Sequence, residues 1–423
     1  MSIRRVVLVV AALLALPTLA LAQTSRVEGM AIPGDYIKDY TGIYTYTSCI
    51  TGVGNLVYGE LGNVKATTNA PGDHPGDRAM GAVLQNLFDG KFGTWGVNLR
   101  EETPGLGTGG NNSGTSLGNG SDPNFNQNES FDLMWGRKYG TTSLGLRLNR
   151  SHYESKVEPL APGVETKLSF DPTAVGGQNF GRNITGFGGG MSFEMSANTR
   201  SDVSFLYQNR SYENSVGTTK AESDGKGTYL LSGRAFYQWQ PNVVLVPVFK
   251  YYSFDLSQKT SVGPTSFDNS LKGWQAGVAG NWTVGNNDLF VLGVAFASNK
   301  VEEKQALFNI TDPNTGLTMT DGKATESIAP LVFGALETHV NNWLTLRFGA
   351  TKGAYRTVKV EPTAGGNSKT TSSPFSMQIG AGVKLATLQL DAVLDQYFPQ
   401  TLGYIGSGST RTNFPKVTAT YAF

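Results

Sequence analysis

Hydrophobic and polar positions alternate with a period of two along most of this chain. At the C-terminus, Val417, Ala419, Tyr421 and Phe423 fall on one side of an extended backbone, and Lys416, Thr418 and Thr420 on the other. The same pattern sets Tyr229, Leu231, Ala235, Tyr237 and Trp239 against Thr228, Ser232, Arg234 and Gln238. It sets Val203, Phe205 and Tyr207 against Asp202, Ser204, Gln208 and Arg210, and Trp274, Val278 and Trp282 against Gln275, Asn281 and Thr283. Leu344, Leu346 and Phe348 oppose Thr345, Arg347 and Thr351, with Leu346 expected at mid-strand. Sixteen strands are predicted in all: 55–65, 78–88, 92–102, 129–139, 141–154, 184–197, 200–214, 226–240, 242–256, 270–284, 287–301, 325–339, 342–358, 373–385, 387–398 and 411–423.

The connections are of two kinds, and they alternate. Short turns at 89–91, 140, 198–199, 241, 285–286, 340–341 and 386 follow long loops at 66–77, 103–128, 155–183, 215–225, 257–269, 302–324, 359–372 and 399–410. A membrane meander places all short turns at one end and all long loops at the other. The predicted fold is therefore all-β: a transmembrane antiparallel up-and-down barrel of about sixteen strands, within a range of fourteen to eighteen, with short periplasmic turns and long extracellular loops.

Lipid cannot satisfy polar side chains, so the polar face of each strand must look inward. This phase sends Arg100, Lys138, Arg147, Arg210, Arg234, Lys250, Arg347 and Lys384 to the lumen, with Asp132, Glu194, Asp202, Glu337, Asp391 and Asp395. The small basic excess fits either a wet pore of weak anion preference or cross-strand pairs that stiffen the wall. Trp239, Trp282, Trp343 and Phe423 stand beside short turns, as an interfacial girdle requires.

Arg4 and Arg5, an apolar run to Leu16 and an Ala-x-Ala end at Ala22 read as a signal peptide over residues 1–22. Residues 23–52 lack alternation and are expected to lie in or under the periplasmic mouth, or to form a flexible leader; 53–423 make the barrel. Charged residues are only 16% of the chain, with 53 Gly, 22 Phe and 17 Tyr, which suits a wall facing lipid. A net charge of +1 gives no electrostatic ground for nucleic acid.

Little points to catalysis. His74, His152 and His339 fall at places that this topology keeps apart, and Ser151 and His152, being adjacent on a strand, face opposite ways. No catalytic residue, cofactor or metal is expected. The Gly- and Asn-rich loop 103–128 has oxygens that suit calcium but no EF-hand spacing. Cys49 is the single cysteine, so no internal disulfide can form; it reads as a small inert side chain.

The aromatic C-terminal strand ending on Phe423 resembles the closing strand of Gram-negative outer-membrane barrels, and residues 53–423 look like a porin-type barrel. That resemblance implies an outer-membrane location, lipid and small solutes as partners, and a barrel assembly machinery that reads Phe423. Association of identical copies stays open. A second stretch, from Asp39-Tyr-Thr-Gly-Ile-Tyr-Thr-Tyr to Tyr58-Gly-Glu-Leu-Gly, resembles the start of the long-chain fatty-acid transporter family; Tyr46-Thr47-Ser48 stands where those chains carry an Asn-Pro-Ala type motif. The expected function is passive diffusion of small polar solutes through a porin-like channel. The alternatives are a fatty-acid-transporter-like barrel for hydrophobic small molecules, and a plugged structural barrel.

Overall fold

A computed structural model describes residues 24–62, 78–100, 130–157, 178–303, 322–394 and 416–423, apart from a few positions within those spans. The predicted signal peptide, His74, Asp395 and loop 103–128 lie outside the described residues. Sixteen strands form the wall. They are β1 (Leu56–Leu61), β2 (Arg78–Leu84), β3 (Thr94–Arg100), β4 (Ser130–Tyr139), β5 (Thr142–Val157), β6 (Gln178–Ser196), β7 (Thr199–Val216) and β8 (Thr228–Gln240). They continue as β9 (Val243–Asp255), β10 (Ser270–Val284), β11 (Asp288–Glu303), β12 (Gly322–His339), β13 (Leu344–Gly353), β14 (Phe375–Leu385), β15 (Leu388–Leu394) and β16 (Lys416–Ala422).

Each strand pairs antiparallel with its neighbours in sequence, and β16 returns to β1 with Leu56 opposite Ala422 and Leu61 opposite Val417. The sixteen-strand wall thus closes on itself, which is the condition for a β-structure in hydrocarbon. The predicted strand 342–358 divides: β13 ends at Gly353, and Arg356–Pro362 then pairs with the outer end of β12 and with Ser368–Ser372 as a ribbon beyond the wall. A second ribbon, Thr219–Ser223 with Gln258–Thr260, extends β7.

The outward side chains form an apolar belt. Val203, Phe205, Leu231, Phe249, Val278, Leu292 and Phe296 are each between 41% and 48% exposed. Trp239, Trp343 and Phe423 are exposed at the short-turn end. An apolar outer face, a closed ladder and an end girdle make this chain a barrel that spans the outer membrane. Inside β12 the phase slips. Ala324, Glu326 and Ile328 face in before Pro330, and Leu331, Phe333, Ala335 and Glu337 after it, at an irregularity in the β11–β12 ladder. Proline at such a break loses no ladder bond. Leu346 is third in β13, opposite Thr338, so it sits near the short-turn end and not at mid-strand.

Phe205 is a better mid-wall probe, six residues from the start of β7 and outward. Phe205→Arg should destabilise the barrel by about 2–4 kcal/mol, as for Arg near a bilayer midplane. Ser204→Ala, one step away and inward, should cost about 1 kcal/mol or less. Urea titration of the barrel refolded in lipid vesicles reads both values.

Candidate functional site: the plug and its seat

Residues 24–53 do not continue the ladder. They fold inside the barrel as a short helix, Thr24–Gly29, and three 3-10 turns, Gly34–Tyr36, Tyr40–Tyr44 and Thr47–Gly52. Pro33, the glycines and the lack of alternation favour turns over a strand here. Asp39 caps the middle turn, its side chain accepting from the Thr41 amide at 2.8 Å. This plug is almost dry: Val27, Met30, Tyr36, Tyr46 and Ile50 are 0% exposed. Full burial of such side chains is worth roughly 1.5–3 kcal/mol each.

The wall is shaped to receive it. Inward positions that elsewhere carry polar residues are glycine or apolar where the plug touches. A Cβ on Gly380 would come within 3.0 Å of the Gly29 Cα. A Cβ on Gly349 would collide with the Met30 carbonyl. Both sites need glycine because backbone lies against backbone. Around them Val27, Met30, Ile32, Tyr36 and Ile37 pack on Val246, Val248, Ala279, Val291 and Phe333 of the inner wall, with Tyr36 and Phe333 ring centroids 4.7 Å apart. A second apolar cluster joins Tyr40, Ile43, Tyr44 and Ile50 to Leu56, Tyr58, Val83 and Met134.

Charged side chains lock the remaining contacts. Arg26 grips Glu337 with two bonds, at 2.6 and 2.7 Å. Arg347 donates to the same carboxylate at 2.6 Å and also to Asp391. Lys416 of β16 meets Glu28 at 2.9 Å. Lys250 pairs with Asp35 at 2.5 Å. Arg234 bonds Asp202 at 2.9 Å and the Asp35 carbonyl at 3.1 Å, and stands 4.2 Å over the Tyr46 ring. Arg147 bonds Asp132 at 2.8 Å and the Tyr44 carbonyl at 2.6 Å, while Arg100 lies over Tyr44 at 5.4 Å.

The residues expected to line a water-filled pore thus point inward, but Arg147, Arg234, Lys250, Arg347, Asp202 and Glu337 meet the plug or its buried partners, not open water. Each is 6% exposed or less. Asp132 is fully buried beneath Arg147. Arg210 is buried too, bonded to Gln208 and 5.2 Å from the Phe254 ring. Lys138 and Glu194 pair at the periplasmic rim, half in solvent. Lys384 is half-buried near the same rim, where its amide donates to the Trp343 carbonyl. His152 is exposed on the outer face beside Asn183, and His339 sits at the short-turn end beside Asp288. Among the described residues no group of three His, Cys, Asp or Glu is placed to hold a metal.

Outside the plug, a groove of about 870 Å³ opens where β1 to β5 reach their outer ends. Outward Leu61, Met80, Leu99 and Phe131 give it apolar walls, and Arg78 and Arg150 stand among them.

No protein-family model and no curated protein matches the chain. Solved structures of similar form include a FadL homologue from Pseudomonas aeruginosa, 11% identical, with 96% of this chain and 99% of that chain covered at a TM-score of 0.42. The CymD monoaromatic hydrocarbon channel is 11% identical, with 96% and 98% covered and a TM-score of 0.38. CdiB from Escherichia coli is 9% identical, with 87% and 63% covered and a TM-score of 0.43. The chain spans less than two thirds of CdiB and of the copper transporter OprC, of which it covers 61%. All these likenesses are loose in sequence and in backbone position.

Two changes test the seat. Arg26→Ala leaves Glu337 and Arg347 in a half-satisfied buried network, which typically costs about 3–5 kcal/mol. Hydrogen exchange of residues 24–53 should rise sharply while the wall amides stay protected. Burial pushes the Asp39 carboxyl up to about 6, against the opposing pull of Arg26 and the Thr41 bonds. A raised carboxyl takes up a proton as the plug docks. Docking is therefore favoured fully below the ordinary carboxylate value of 3.8, and that favour is lost as pH rises through about 6. Asp39→Asn should flatten the change in plug protection between about pH 4 and pH 7.

Proposed function

We propose that this barrel is a gated uptake channel for small hydrophobic molecules, with residues 24–53 as the gate. The single observation behind this reading is the seated plug. Passive diffusion of polar solutes needs a continuous wet lumen, and here the lumen holds a packed, ion-paired segment. A wide polar pore, with anion preference set by rings of arginine, is the weaker reading for the same reason: those arginines are engaged with carboxylates and plug carbonyls. The apolar groove at the outer ends of β1 to β5 gives a hydrophobic molecule a place to collect, which a porin does not need. Movement of the plug would expose the same basic wall, so opening costs the buried pairs and must be offset by ligand contacts.

A plugged barrel that only anchors an assembly is the second reading, and it too is consistent with the seated plug. Two measurements separate the three. Native protein in planar bilayers should show no steady conductance, and deletion of residues 24–53 should open a large one. Cells with the native barrel should take up an apolar fluorescent probe, N-phenyl-1-naphthylamine, faster than cells without it. Steady conductance of the native chain would establish the porin. Silence in both assays, with and without the plug, would leave the structural barrel.

A further inference from the structure

A cavity of about 230 Å³ lies on the periplasmic side of the plug. Lys38, Asp39, Tyr40, Cys49 and Val53 line it from the plug, and Arg200, Asp202, Arg234 and Phe236 from the wall. It adjoins a second cavity of about 320 Å³ that shares Lys38, Arg200 and Phe236 and reaches the turn at Asn198 and Thr199. The pair is thus approached from the periplasm.

Its charges do not balance. Asp202 is shared by two guanidiniums, Arg200 at 3.1 Å and Arg234 at 2.9 Å, and also accepts from the Cys49 thiol at 3.4 Å. Asp39 is turned to Thr41 and to Arg26, 3.9 Å away. Glu194, in the outer cavity, is held by Lys138. No carboxylate of the described residues is in ion-pair contact with Lys38, whose ammonium stands 5.4 Å over the Phe236 ring. Arg200 keeps 31% of its side chain exposed. Lys38, Arg200 and Arg234 therefore face this space with only Asp39 and Asp202 beside them, and one positive charge is left over.

We propose that this space is a binding site for a small apolar carboxylate. The carboxylate sits between the Lys38 ammonium and the Arg200 guanidinium, and its apolar body lies on Phe236 and Val53. A single negative charge matches the excess. Phe236 and Val53 offer a surface for an apolar body that phosphate lacks, and the second charge of phosphate exceeds the single excess. The site rests on its own lining and needs no flux through the barrel, so it stands or falls separately from the uptake reading.

Benzoate is the probe, with the full-length barrel purified in detergent. Equilibrium dialysis should show one saturable benzoate per chain. Lys38→Gln should weaken it by about tenfold or more, the loss expected for one charge-assisted bond. Lys38 makes no ion pair with any described residue, so this variant should keep the heat-modifiable mobility of a folded barrel. Lys384→Gln, a rim lysine elsewhere, should bind as the native chain does. Cys49 is the sole cysteine and lines the same cavity, so bound benzoate should slow its alkylation by iodoacetamide. Absence of saturable benzoate binding to the native barrel would overturn the proposal. So would equal binding to Lys38→Gln, or displacement of benzoate by inorganic phosphate at equal concentration.

Discussion

The interaction on which the rest depends is the Arg26–Glu337–Arg347–Asp391 network. It joins a helix of six residues to three separate wall strands, β12, β13 and β15, in a place with almost no water. Charges so placed are costly unless every one is answered. Glu337 is answered twice and Arg347 twice, so the plug and this part of the wall are each other's counter-charge. Remove the plug and Glu337 keeps only Arg347. The seated plug and this part of the wall are therefore held in place together, each completing the other's ion pairs.

The same constraint explains the inner wall. An open pore would carry polar residues at every inward step. Here polar steps are interrupted by Gly349, Gly380, Val246, Val248 and Phe333, all at plug contacts. The wall is thus a mould: glycine where backbone meets backbone, apolar side chains where Tyr36 and Ile37 press, and basic residues where plug carbonyls end. Lipid dictates the outer pattern and the plug dictates the inner one.

The outer pattern was readable in the sequence because lipid imposes one rule on every strand. Period-two alternation, with short and long connections in turn, located sixteen strands and the inward phase of Arg147, Arg234 and Arg347. What those arginines touch was not readable, since their partners stand about a hundred to three hundred residues away: Tyr44 for Arg147, Asp35 for Arg234, and Arg26 through Glu337 for Arg347. A trace of the plug was present in inward positions that are glycine or apolar without reason in a wet pore. Cys49 is a further case. Alone it reads as a small inert side chain; the fold sets its sulfur beside Asp202, Arg200 and Arg234, neighbours about 150 to 185 residues away that no local pattern discloses. The division of strand 342–358 at Gly353 was also hidden, because both halves alternate and only their different partners separate them.

The position of the plug in the chain ties it to the seam. Only Gly54 and Asn55 separate it from β1, one of the two strands that meet to close the barrel. The other, β16, holds it from across the join, through Lys416 to Glu28 and Thr418 to Ser25. The plug is a clasp as well as a stopper: covalent to one lip of the seam and hydrogen-bonded to the other. A chain with its seam unzipped has given up those clasp contacts, and a segment rooted at the lip can be laid in place before the lips meet, without threading a finished ring. The contacts that fill the interior and those that close the ring thus meet on the same two strands, β1 and β16.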